Sequence, residues 1–298
     1  MVQSSTKTWA VGVELAEDHF GPIRFAATLT QIRPDDLVLG VHVLPDQQTL
    51  HPLVTDEEVA TFRQRAIVNV ADVLAREGLS GERVRVELVE DDEIARGLTE
   101  SAAPLGVDAL IIGRRAKRDE DPIVRLGEVT RRALRRLPVP IIVVPPDYGD
   151  RHDRGLGEGP IILATDLSEH AAPAAEFARD LAARLDRELL VAHGTQAFHW
   201  AVSYIPNATM NELQQRATDE AGQSLQRWAA SHGLGAGRRH VFVGDPAKQL
   251  VQLAYTEDAA MLVTGSRVLG PVERLFLASV SSEVAAAATC PVAVVPGS

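Results

Sequence analysis

Asp258-Ala-Ala-Met-Leu-Val-Thr-Gly265-Ser-Arg267 and, after a loop, Ala278-Ser-Val-Ser-Ser-Glu-Val-Ala-Ala-Ala-Ala-Thr-Cys290-Pro291-Val-Ala-Val-Val-Pro296 decide the fold. Ala259 to Thr264 is a short apolar run that ends on a glycine, the pattern of a strand buried on both faces of a parallel sheet. Ser279 to Ala288 sets hydroxyls first and helix formers after them, which predicts a helix N-terminus. Val292 to Val295 is a second buried strand, bounded by Pro291 and Pro296. The unit is strand, glycine loop, helix, strand. A loop that feeds a hydroxyl-rich helix start can present backbone N–H groups to a phosphate.

The same unit occurs earlier in the chain. Val107-Asp-Ala-Leu-Ile-Ile-Gly113 leads through a loop to Leu126-Gly-Glu-Val-Thr-Arg-Arg-Ala-Leu134, and then to Leu137-Pro-Val-Pro-Ile-Ile-Val-Val-Pro145. Gly113 and Gly265 are 152 residues apart, and Pro140 and Pro291 are 151 apart. A third anchor agrees: Glu14, after Val11-Gly-Val, and Asp166, after Ile162-Leu-Ala-Thr, are again separated by 152. A constant offset over three anchors identifies a tandem duplication, with domain 1 over residues 1–146, a linker at 147–159 and domain 2 over 160–298. The 298 residues suffice for two ordinary domains, each with its own core.

Along each half, strand and helix alternate. In the first, Thr8–Glu14, Leu37–Leu44, Val84–Val89, Ala109–Ile112 and Pro140–Val144 read as strands; Val84–Val89 alternates apolar and charged residues and is expected at a sheet edge. Asp18–Ile32, a helix capped by Asp56 with an apolar face of Val59, Phe62, Ala66, Val70 and Val73, Asp91–Ala103 and Val129–Leu137 read as helices. The second half repeats the order, with Ser168 expected to cap its first helix and Pro246 to open a later one. The fold class is α/β, two tandem five-stranded parallel doubly wound sheets with helices on both faces. The fifth strands, Pro140–Val144 and Pro291–Val295, are expected to meet antiparallel and form a pseudo-dimer, each covering an apolar edge of the other.

Composition restricts the function. Apolar residues make up 45% and the net charge is −11, which excludes a disordered chain and disfavours nucleic acid as a partner. The single cysteine, Cys290, excludes an internal disulfide framework and a cysteine-based zinc cluster, and it reads as a packed small hydrophobe. The lack of a signal-like segment or a run of ~20 apolar residues leads to the expectation of a cytoplasmic protein that does not use the membrane. His152 and Asp153 read as solvated linker residues. The arginines from Arg114 to Arg136 are either a basic patch for an anionic partner or a solvated helix paired with nearby acids. His193, at a strand end, reads as a core or rim histidine, with a pocket-lining role as the alternative. Phe198, Trp200 and Tyr204 either cover an apolar ligand or plug a junction.

With these residues placed, the chain resembles the universal stress protein family over nearly its whole length, as two copies. Nucleotide-binding members carry Gly-x2-Gly-x9-Gly-(Ser/Thr) between the fourth and fifth strands, and an acid at the end of the first strand. In the second half Gly265 matches the first glycine, Val268 and Ala278 replace the other two, Ser279 matches the hydroxyl, and Ser281 adds a second one. Asp166 matches the acid, which in the family lies near the ribose and adenine. The resemblance implies a site of Asp166, Gly265, Ser266, Ser279, Val280 and Ser281. The structural alternative makes Ser279 an ordinary N-cap and Gly265 an ordinary strand end. In the first half Gly113 is kept, but Ala116 replaces a glycine, the spacer to Gly127 is one residue longer, and Glu128 stands where the hydroxyl belongs. Its charge opposes a phosphate there. The expectation is a stress-response binding protein without turnover that takes ATP or AMP weakly in domain 2 alone. A weak ATPase or nucleotide switch and a ligand-free scaffold are the alternatives, and further pairing into a homodimer stays open.

Overall fold

A computed structural model describes residues 6–15, 20–46, 49, 55–114, 126–149, 156–195, 207–266 and 280–297. The chain divides into two compact units, residues 1–156 and 157–298. The linker pair His152 and Asp153, the aromatic residues Phe198, Trp200 and Tyr204, and the loop positions Ala116, Val268, Ala278 and Ser279 lie outside the described residues.

In the first unit the strands are β1 (Thr8–Gly12), β2 (Leu37–Leu44), β3 (Val84–Glu90), β4 (Ala109–Gly113) and β5 (Ile141–Val144). They alternate with the helices α1 (Gly21–Ile32), α2 (Asp56–Arg76), α3 (Ile94–Ala102) and α4 (Glu128–Arg136). The strand order is β3-β2-β1-β4-β5, and every pair is parallel. The continuous apolar runs fill the middle: β5 is buried at each position and β4 at all but its last. β3, with its alternating pattern, is the terminal strand. This is the doubly wound parallel α/β arrangement that the sequence implies.

Two details of α2 differ from expectation. The cap is Thr55 and not Asp56. The Thr55 hydroxyl accepts from the Glu58 amide at 3.4 Å while the Glu58 carboxylate accepts from the Thr55 amide at 2.8 Å, a reciprocal capping box. Asp56 instead adds first-turn charge that suits the helix dipole. The buried stripe is Val59, Ala66, Val70 and Leu74, while Phe62 remains 45% exposed. Leu74 takes the inward position because β2 makes room for it: a Cβ on Gly40 would sit 2.5 Å from Leu74 Cδ1. Glycine at position 40 is a packing requirement.

In the second unit the strands are β6 (Ile161–Ala164), β7 (Leu189–Thr195), β8 (Arg238–Val243), β9 (Met261–Ser266) and β10 (Val292–Pro296). The helices are α5 (Ala172–Leu185), preceded by a 3-10 turn at Glu169–Ala171, then α6 (Asn207–Ser231), α7 (Pro246–Thr256) and α8 (Val280–Ala287). The order is β10-β9-β6-β7-β8, again with parallel pairs. Pro246 opens α7 as expected, and Asp245 caps it by accepting from the Ala247 and Lys248 amides at 3.1 and 3.2 Å. Ser168 makes no side-chain cap bond; its hydroxyl is turned to Asp166. Cys290 is buried beside β10.

The halves differ at the foot of the first strand. The carboxylate of Asp36, 1% exposed, accepts from the Trp9 indole Nε1 at 2.9 Å and from the Lys7 amide at 3.0 Å. The offset puts Ile161 at the position of Trp9, so the second unit has no such tie. Asp36→Ala strands the buried indole N–H without its acceptor. We expect it to lower the unfolding free energy by about 1–3 kcal/mol, read by urea denaturation, and Asp36→Asn to recover part of the loss.

Candidate functional site

In the order β10-β9-β6-β7-β8 the chain leaves β6 toward β7 on one side, while β9 lies on the other. The switch point therefore falls between β6 and β9. Parallel strands bring their carboxyl ends to one edge, and a crevice opens where neighbouring connections diverge. The last paired positions of the two strands are Ala164 and Thr264. Two residues further along each chain segment stand Asp166, just past β6, and Ser266, the last residue of β9, at the carboxyl ends of the strands that flank the switch point. In the first unit the equivalent edge, between β1 and β4, carries Glu14 and Gly113.

Each site residue has a distinct local setting. Asp166 is exposed, and its Oδ1 accepts from the Ser168 amide at 3.0 Å and from the Ser168 hydroxyl at 2.6 Å. These bonds close a turn in which Leu167 has φ of +64°. Gly265 has ordinary room around it: a Cβ there would lie 3.8 Å from Ala171 Cα, Ala174 Cβ and His170 O. Packing among the described residues does not demand a glycine, so nothing there competes with a backbone-approach role. The Ser266 carbonyl accepts from the Gly297 amide at 3.1 Å, which fixes the end of β9. Val280 and Ser281 form the first turn of α8, with Val280 39% exposed and Ser281 buried.

The burial of Ser281 has a parallel in the first unit. Its counterpart by the offset is Thr130, also buried, whose hydroxyl donates to the Gly113 carbonyl at 2.7 Å. At that position a hydroxyl can serve the backbone between the fourth strand and the following helix. Glu128, the counterpart of Ser279, forms an ion pair with Arg132, one helical turn on. Its charge at the first-unit helix start is partly balanced.

His193, singled out in the sequence, has a counterpart in His42 that sequence reading missed, and the pair orders both edges. His42 Nδ1 lies 2.9 Å from the Val13 carbonyl, and His193 Nδ1 lies 2.8 Å from the Thr165 carbonyl. A carbonyl can only accept, so Nδ1 carries the proton in both rings. The same two residues are held from the other direction: the Val13 amide donates to Val41 O at 2.9 Å, and the Thr165 amide to Ala192 O at 3.0 Å. The residue just before each acid is thus clamped on both its N–H and its C=O. His42 and His193 are 151 residues apart, so the duplication offset contained this signal. His193→Leu should release the clamp and speed hydrogen exchange at the amides of Leu167 and Ser168 in the intact chain, while exchange in β7 stays unchanged.

Within the basic cluster, Arg132 and Arg136 are engaged in ion pairs. Both guanidinium nitrogens of Arg136 donate to Glu93 at 2.9 Å, and Arg132 approaches the same carboxylate at 3.3 Å. These contacts, with the Arg136 hydrogen bond foremost, hold the Glu93 carboxyl down at about 2. A carboxyl depressed in the folded state contributes stability above its unfolded value, near 4.5, and loses it as pH falls toward 2. Glu93→Gln should therefore lower the melting temperature near neutrality, and its difference from wild type should close as pH falls through that window. Arg115, Lys117 and Arg118 lie outside the described residues. No group of three or more potential metal ligands occurs among the described residues, and none of their helices is long and apolar enough to cross a membrane.

Comparison with known proteins gives one answer. The sequence model of the Universal stress protein family matches residues 9–145 and again 159–296. A universal stress protein of Mycolicibacterium smegmatis is 28% identical over 99% of this chain and 99% of its own length. One of Thermus aquaticus is 35% identical over 45% of this chain and 96% of its own. The crystal structure of a universal stress protein from Archaeoglobus fulgidus matches 97% of this chain and 96% of its own, with a TM-score of 0.64 at 17% identity.

Proposed function

The chain belongs to the universal stress protein family, and from that membership we propose that it is a stress-response binding protein whose second unit holds an adenine nucleotide, ATP or AMP. What supports this reading is that Asp166 and Ser266 both stand at the carboxyl ends of β6 and β9, the two strands that flank the switch point. A carboxylate there suits a ribose, whose hydroxyls donate. Asp166 already takes two donors from Ser168 on one oxygen, and a carboxylate has acceptor capacity for more. The strand end at Gly265 and Ser266 offers backbone. Val280 and Ser281 open α8, and Ser279 precedes them in the sequence; N–H groups and the dipole at such a helix start favour an anion.

Binding is assigned to the second unit alone, and as weak. Glu128 puts a carboxylate where Ser279 puts a hydroxyl, and Glu14 replaces the shorter Asp166. Val268 and Ala278 carry side chains where the family has glycine, which restricts backbone approach to phosphate. The reading is binding without turnover. The bound state is passed on through the protein's interactions.

Titration of the full chain with ATP and with AMP by calorimetry tests this. Wild type should bind weakly. Ser279→Glu should abolish binding by copying the first unit. Val268→Gly with Ala278→Gly should tighten it about tenfold, ~1.4 kcal/mol. Equal binding by wild type and Ser279→Glu would move the site elsewhere. Phosphate release above background would make the protein an ATPase. No nucleotide binding by wild type or by the glycine variant would leave a scaffold.

A further inference from the structure

The outer edge of β3 is self-complementary. β3 ends the sheet of the first unit, with no strand beyond it among the described residues. Its bonds to β2 use alternate residues: the Val38 amide donates to Arg83 O at 2.9 Å, and the Asp91 amide to Leu44 O at 2.9 Å. Odd-numbered residues therefore face β2. The backbone N–H and C=O groups of Val86 and Leu88 and the carbonyl of Val84 point out of the sheet, while the Val84 amide donates to Gly81 O at 3.1 Å. On one face of this edge lies a groove of about 460 Å³ lined by Arg63, Ile67, Val86, Leu88 and Glu90, with Arg63 and Glu90 ion-paired at its end. Phe62 and Ile67 of α2 remain 45% and 39% exposed.

We propose that β3 pairs antiparallel with β3 of a second copy of this chain, centred on Val86. This register sets Val86 against Val86, which exchange both backbone bonds, and Val84 against Leu88 of the second copy, where each Leu88 amide meets the Val84 carbonyl across from it. Side chains of those residues continue the apolar groove across the twofold axis. On the opposite face Arg85 stands directly across from Glu87 of the second copy, and Glu87 across from its Arg85. These are non-hydrogen-bonded positions, where side chains approach most closely. Both residues are exposed in the single chain. A slip of two residues in either direction sets Arg85 against Arg85 or Glu87 against Glu87, so the charges select one register. The terminal strand of the second unit has no equivalent pattern: β8 contains no acid, and its Arg238 is engaged by Glu188 at 3.2 Å and Glu257 at 2.9 Å.

Sedimentation of the full chain over a concentration series tests the proposal. Wild type should pass from one chain to two. Val86→Pro removes an N–H that β2 does not use, so the fold should survive, seen as an unchanged thermal unfolding curve. No dimer should then form where wild type is half-associated. Glu87→Arg opposes arginines at two symmetry-related positions and should weaken the dimer about tenfold. Arg85→Glu with Glu87→Arg restores opposite charges and should restore wild-type association, a test that holds even if Val86→Pro proves unstable. A wild type that stays a single chain overturns the proposal. So does a dimer indifferent to Val86→Pro and Glu87→Arg, or a charge-swapped double variant no better than the single one.

Discussion

Parallel pairing of β6 with β9 is the constraint on which the second unit depends. Parallel strands require crossovers, the crossovers require helices, and both strands then run out at the same edge. Asp166 and Ser266 are 100 residues apart in sequence. Parallel pairing of the strands that precede them, through Ala164 and Thr264, brings both to one edge. What the side chains can do follows from that placement. The role proposed for the Asp166 carboxylate depends on β6, which precedes it, ending beside the switch point.

The clamp on Thr165 shows how such an edge is kept in position. A strand end has no following ladder bond to hold it, and the acid beyond it would otherwise move with the loop. His193 supplies the missing donor from the neighbouring strand, and His42 does the same for Val13. Both units keep this arrangement, although they have diverged at the acid and at the helix start. The clamp is therefore common to the two halves, and they differ in side-chain length, Glu14 for Asp166, and in charge, Glu128 for Ser279.

Much of this was legible in the sequence, and the reason is physical. Strands buried on both faces must be apolar throughout, so β4, β5, β9 and β10 stand out as runs, and the edge strand β3 stands out by alternation. The duplication offset then fixed the domain pattern. What could not be read was hydrogen bonding by neighbouring polar residues. Thr55 and Asp56 are both good cap residues, and only the reciprocal bond with Glu58 separates them. Ser168 has the chemistry of a cap, yet its hydroxyl serves Asp166. Phe62 falls at helical spacing, but its surroundings leave it in water. In each case composition allows several partners, and three-dimensional proximity chooses one.

Hydroxyls at the helix after the fourth strand carry the same ambiguity, and the first unit helps to separate their roles. Thr130 has kept its hydroxyl in a half whose helix start carries Glu128, and that hydroxyl donates to Gly113 O. A bond of this kind ties the strand end to the helix whether or not a ligand is present, so it persists where the ligand chemistry has drifted. Ser281 is the matching residue and is likewise buried. The hydroxyl two positions earlier is the one that differs between the halves, Ser279 against Glu128. A residue under purely structural demand would tolerate that exchange poorly in a buried setting, but Glu128 is accommodated by pairing with Arg132 at the surface. Position 281 thus matches a residue that serves the fold in the first unit, and the proposed difference in what the halves bind rests on position 279.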